Sequence, residues 1–143
     1  MAVATYDPKR IALTIGGVLI TGFGENSIVK HERNADSFTK KVGADGKVTR
    51  SRSADRSSRI TISQQQASVC NDYLSTLLRL DEAGAGGSVV YSMFDTNGTT
   101  RYSSGSCWIV RAPDDERANE SGDIEWILDC AEMDGYLGSI LGE

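Results

Sequence analysis

Residues 10–23 read RIALTIGGVLITGF. Ile11, Leu13 and Ile15 alternate with Ala12 and Thr14, the period of a strand with one buried face. Gly16-Gly17 then supplies the two positive-φ positions of a tight hairpin, and residues 18–23 form the return strand. The same period recurs downstream. It is clearest over 124–131, where Ile124, Trp126, Leu128 and Cys130 share one face and Glu125, Ile127 and Asp129 the other. Residues 27–42 are polar with β-formers inside, one or two strands with a weakly apolar face. Further strands are expected at 59–65, 88–94, 99–104 and 107–112, the last ended by Pro113, with a turn at 95–98. One helix is expected at 68–82: Cys70, Tyr73, Leu74, Leu77 and Leu78 make an apolar stripe, Ser68 caps the start, and Gly84 stops the end. Strands without βαβ alternation predict a mainly β fold, an antiparallel β-sandwich or barrel with one flanking α-helix.

The chain has 143 residues, which fits one domain over 1–143. Its apolar fraction of 39% is enough for one core. The longest apolar stretch, 13–23, is broken by glycine and too short to span a bilayer, so no membrane role is expected. No apolar signal core stands in residues 1–10, which favours a protein assembled in a cytoplasm. Cys70, Cys107 and Cys130 are odd in number, widely spaced and without a CxxC, and read as small buried thiols instead of a disulfide or metal framework.

Charge is unevenly spread. Residues 28–65 hold nine basic and four acidic side chains, a net +5, whereas 66–143 hold four basic and fourteen acidic ones, a net −10. The overall balance of −5 argues against a generally basic nucleic-acid binder. Two surfaces of opposite sign suit self-association, basic face to acidic face. The basic set is Lys40, Lys41, Lys47, Arg50, Arg52, Arg56 and Arg59. Most of it lies in residues 40–58, a turn-rich segment with almost nothing to bury, expected to project as a loop or hairpin that is mobile in the isolated chain. It lacks the interleaved aromatics that stack on single-stranded bases. The acidic set is Asp114, Asp115, Glu116, Glu120 and Asp123, which lacks the oxygen spacing of a calcium loop.

Nothing else in the chain points to chemistry. His31, the single histidine, has no GxSxG serine to serve and reads as a surface residue. Residues 84–88 are glycine-rich but lack GK[ST] and follow a helix instead of opening one. No catalytic, cofactor or metal residue is expected. The aromatics Phe23, Phe38, Tyr73, Tyr91, Phe94, Trp108 and Trp126 are scattered and mostly at core-phase positions, which weakens the rival reading of a monomeric ligand-binding β-sandwich.

Residues 36–77, DSFTKKVGADGKVTRSRSADRSSRITISQQQASVCNDYLSTL, resemble the tail tube proteins of long-tailed, mostly contractile bacteriophages. YDPKRIALTIGGVLITGF near the start and CWIVRAP and EWILDCA near the end are similar to that family in the same order. The resemblance implies a virion structural protein made in the bacterial host. Six copies would form a ring, rings would stack head to tail into a tube, and four strands per copy would line a channel passing DNA and a tape-measure protein. Residues 40–58 would be the inter-ring loop. Sheath, baseplate and tail-terminator proteins would be neighbours. A tube of a phage-derived contractile injection particle is the alternative. The channel should be polar or acidic, with residues 28–42, 59–65 and two later strands as its candidate lining.

Overall fold

Ile11, Leu13 and Ile15 turn toward the core and open β1 (Ile11–Ile15) of a computed structural model that describes residues 3–140. Gly16 and Gly17, with φ +59° and +83°, make the tight turn into β2 (Val18–Leu19). The return strand is shorter than the expected 18–23. Ile20 donates its N–H to Leu13 and buries its side chain, and the chain then crosses over to bridge β6 through Phe23 and Gln64. The stretch 27–42 divides into β3 (Val29–Arg33) and β4 (Phe38–Val42). Next come β5 (Val48–Arg52) and β6 (Ser58–Gln65), the helix α1 (Cys70–Glu82) and β7 (Val89–Asp95).

The segments 99–104 and 107–112 are one strand, β8 (Arg101–Ile109), instead of two. Tyr91 faces Ser104 and Val89 faces Cys107, so β8 carries one extra residue around Gly105, a bulge that bends the strand without ending it. β9 (Asp123–Cys130) follows the expected alternation, with Trp126, Leu128 and Cys130 buried. A short β10 (Asp134–Tyr136) pairs with the first half of β8, beyond the end of β9.

Among the described residues all strand pairs are antiparallel, in the order β2-β1-β7-β8-β9-β6-β3, with β4 and β5 forming a separate ribbon. The large sheet folds over on itself, because His31 on edge strand β3 lies against Tyr91 on β7 and Tyr102 on β8. Its end strands β2 and β3 do not pair with each other, so the fold is a sandwich and not a closed barrel. The core between the layers holds Leu13, Ile60, Ile62, Tyr91, Leu128 and their neighbours. α1 contributes Cys70, Leu74 and Leu78. Ser68 Oγ accepts from the Cys70 N–H (3.2 Å), one residue ahead of the formal cap, Val69. Tyr73 Oη donates to the Ile15 carbonyl (2.9 Å), and Trp126 Nε1 donates to Asn71 Oδ1 (3.0 Å).

Three sequence expectations are corrected. Cys107 and Cys130 are joined as a disulfide, and only Cys70 remains a buried thiol. The two partners are 23 residues apart but directly opposed across β8 and β9, with Cα atoms 4.3 Å apart. His31 is no plain surface residue: it stacks on Tyr102 (3.9 Å between centroids) with Nε2 2.6 Å from Tyr91 Oη. Burial lowers its pKa to about 4 and raises that of Tyr91. Among the seven aromatics expected mostly in the core phase, Phe38 and Phe94 are the exceptions that the structure exposes.

Candidate assembly surfaces

The segment between β3 and β6 leaves the body as a hairpin. Among the described residues β4 and β5 pair with each other alone, from Phe38↔Arg52 to Val42↔Val48, and all ten of their residues are exposed. In the connection the Gly43 N–H donates to the Lys47 carbonyl (2.8 Å), and Gly46 takes a φ of +88°. Asp45 Oδ1 accepts from the Lys47 N–H (3.2 Å). One face of the ribbon carries Phe38, Lys40, Val42, Val48, Arg50 and Arg52, since those positions oppose one another in register. The Arg50 guanidinium lies over the Phe38 ring, 4.4 Å from its centroid, and that of Arg52 lies 5.8 Å away. Lys41 sits on the other face, opposite Thr49. The ribbon thus presents a basic and apolar face with no packing partner among the described residues.

Five of the seven expected basic residues, Lys40, Lys41, Lys47, Arg50 and Arg52, lie on this hairpin. Arg56 and Arg59 do not. Arg56 lies in the connection to β6 and meets Glu132 (3.4 Å). Arg59 belongs to β6, where its Nε donates to Asp129 Oδ1 (3.0 Å) and its Nη2 reaches Oδ2 (3.5 Å). That bond raises the guanidinium pKa further.

The long connection from β8 to β9 folds back over β9 to enclose a cleft of about 410 Å³. Asp114, Glu116, Glu120 and Asp123 line it, joined by Glu125, with Arg111 as the one cation among its described lining residues and Ile124 and Ile127 as apolar floor. Gln66 holds the connection in place: its Nε2 donates to the Glu116 carbonyl (2.8 Å), and its Oε1 accepts from the Gly122 N–H (3.0 Å). Asp123 Oδ2 accepts from the Glu25 N–H (3.1 Å). Four of the five expected acidic residues therefore share the cleft. Asp115 turns away to the α1 side and pairs with Arg117 (3.2 Å).

The third surface is an open sheet edge. The Asn34 N–H donates to Ser57 and Ile28 accepts from the Ser63 N–H, so even-numbered β3 residues bond β6. Val29, His31 and Arg33 turn their backbone groups the other way, toward solvent. Sequence reasoning missed Val42 and Val48 as surface residues, although their equal spacing about the Gly43–Gly46 turn was visible; nothing local signals the cleft.

The tail tube family model described as "Bacteriophage PhiTE tail tube protein" matches residues 3–138. "Structural protein ORF10" of Pseudomonas phage KPP10 is 32% identical over 133 residues, covering 87% of this chain and 77% of that protein. Among solved structures, the tube-terminating cap of the anti-feeding prophage superposes with a TM-score of 0.61 at 12% identity, over 95% of this chain and 94% of the cap. A chain of the PVC sheath–tube complex, from an extracellular contractile injection system in its extended state, gives 0.60 at 15% identity, over 96% and 93%. These likenesses show the shared fold. The family is structural and not enzymatic. The chain belongs to the family of bacteriophage PhiTE tail tube proteins.

Proposed function

We propose that this protein is the protomer of a phage tail tube, with six copies closing a ring and rings stacking head to tail into a hollow conduit for DNA. The observation that carries this reading is the hairpin 38–52, which exposes a basic, apolar face that no described residue covers. A hairpin docking on a different surface of the next copy is a heterologous contact, the kind that propagates into stacks. The acidic cleft complements it in sign and in its apolar floor. The open β3 edge suits sheet pairing with a lateral neighbour. In this reading the inter-ring residues are Lys40, Lys41, Lys47, Arg50 and Arg52, with Arg56 and Arg59 at the hairpin root. The counter-surface is Asp114, Glu116, Glu120 and Asp123, with Asp115 on its rim. The protein would assemble in the host cytoplasm and meet tape-measure, sheath, baseplate and terminator proteins in the virion. The 32% identity to a phage structural protein favours a phage over an injection particle.

The test is electron microscopy of the purified protein over a concentration series, beside an Arg50→Glu, Arg52→Glu variant. Rings or uniform hollow tubes from the wild type, and isolated rings or monomers from the variant, are expected. A wild-type protein that stays monomeric at every concentration would overturn the reading in favour of a monomeric binding module.

A further inference from the structure

Cys107 and Cys130 stand opposite each other where β9 ends and β8 bends at its bulge. Backbone hydrogen bonds flank them on both sides: the Ala131 N–H donates to the Ser106 carbonyl (3.1 Å), and the Val110 N–H donates to the Ile127 carbonyl (3.0 Å). In that register the two cysteines occupy a non-hydrogen-bonded position of the antiparallel ladder. Opposed Cα atoms at such a position lie about 4.5 Å apart whatever their side chains. The Cys107–Cys130 separation of 4.3 Å is therefore set by the ladder. The backbone brings two thiols within bonding reach before any bond forms, so folding does not need the bond.

A chain that folds in a reducing cytoplasm does so with free thiols, because the glutathione pool there keeps them reduced. Once closed, this bond is sealed: Cys107 is 0% and Cys130 1% exposed, out of reach of attacking thiolates. The position thus suits a bond that closes late and is then kept. It also has something to act on. Residues 131–133 leave β9 directly after Cys130 and brace the root of the 38–52 hairpin. The Met133 N–H donates to the Arg56 carbonyl (3.1 Å), Glu132 pairs with Arg56 (3.4 Å), and the Glu132 carbonyl accepts from Ser104 Oγ (2.6 Å). Fixing Cys130 to β8 fixes the point from which this brace departs.

We infer that Cys107 and Cys130 form a redox latch: a dithiol while the chain folds and assembles, a disulfide once it has left the reducing cell, stiffening the brace at the hairpin root. The timing rests on the cytoplasmic assembly proposed above. Closure needs an oxidant, and a small-molecule disulfide serves. The thiolate of one cysteine attacks it, forming a mixed disulfide and releasing one small thiol. The second cysteine thiolate then attacks the mixed disulfide, forming the Cys107–Cys130 bond and releasing the other small thiol. Two cysteine thiols are oxidised, one small disulfide is reduced, and the two cysteine protons end on the released thiols. Both steps wait on an opening of this buried corner, so closure is slow compared with folding.

Counting cysteines on the full chain tests the latch without any tube. Expressing cells quenched in acid, then denatured and alkylated, should give modification at all of Cys70, Cys107 and Cys130. The purified protein incubated with oxidised glutathione should give modification at Cys70 alone, and its mass before alkylation should fall by two hydrogens. Modification of Cys70 alone in freshly quenched cells would make the bond constitutive. Modification of all three after oxidation would mean that the pair does not close; either result overturns the proposal. Hydrogen exchange tests the brace. The Met133 amide should exchange about tenfold or more slowly in the oxidised chain than in the dithiothreitol-reduced one, whereas the Gly46 amide at the hairpin tip should not change. Equal exchange at Met133 in both forms would refute the coupling to the hairpin root. A reduced chain without native near-ultraviolet circular dichroism would refute the premise that the fold stands without the bond. A chain that counts as expected yet forms no ring in either state would refute the tube reading and leave the latch standing.

Discussion

His31 shows how much one residue's surroundings can change its chemistry. Its pKa of about 4, against an ordinary 6.5, means that the unfolded chain takes up the proton first. Stability is therefore full above pH 6.5 and falls as the pH drops toward 4, by roughly 3 kcal/mol at most. His31→Phe should remove that slope in urea titrations between those pH values. The variant should also lose about 1–3 kcal/mol at pH 7, because the Tyr91 hydroxyl is left buried without its partner. Gly16 gives a second prediction. A Cβ there would come within 2.6 Å of Tyr73 Oη, at a φ of +59°, whereas at Gly17 it would meet nothing within 4 Å. Gly16→Ala should thus lower the melting temperature more than Gly17→Ala, since it adds loss of the Tyr73–Ile15 bond to backbone strain.

Elements here divide into those that hold the fold and those that project from it. α1 belongs to the first group, with Leu74 fully buried against the sheet. Leu74→Ala should cost about 2–5 kcal/mol in chemical denaturation. The β8–β9 disulfide closes a span of 23 residues, and its reduction should cost about 3 kcal/mol, read as the difference between oxidised and reduced unfolding curves. The hairpin behaves in the opposite way. Replacing Phe38, Val42 and Val48 together with Ser should leave monomer stability within about 0.5 kcal/mol, because they are exposed and touch no core. The same variant should fail to stack, which sedimentation would register.

At the scale of the whole molecule, charge separated along the chain becomes charge separated in space. In the proposed docking each exposed pair would contribute only ~0–1 kcal/mol, so binding would have to draw on several hairpin–cleft pairs together and on apolar contact. Stacking should weaken as salt rises and the screening length shortens. Charge exchange gives the stricter check. Asp114→Lys with Glu116→Lys should block assembly alone, yet restore it when combined with Arg50→Glu and Arg52→Glu. Light scattering that stays flat in the combined variant would reject the hairpin–cleft pairing.

By itself the sequence determined the mainly β class, the single helix, the turn at Gly16-Gly17 and the strand around Trp126, because side-chain period and turn chemistry are local properties. The tail tube family was legible in residues 36–77, and the clustering of cations in 28–65 was plain from counting. Sheet order was not legible, since pairing joins residues far apart in the chain. From that order come the Cys107–Cys130 bond, His31 beside Tyr91, and the alignment of Glu32, Arg59 and Asp129 across β3, β6 and β9, residues that span nearly a hundred positions. The unbroken β8 follows from the same cause: a bulge at Gly105 resembles a turn locally, and only pairing with β7 on one side and with β9 and β10 on the other reveals continuity. Tertiary structure alone decided which charges meet one another and which remain for another molecule, because that depends on who is opposite whom across the sheet.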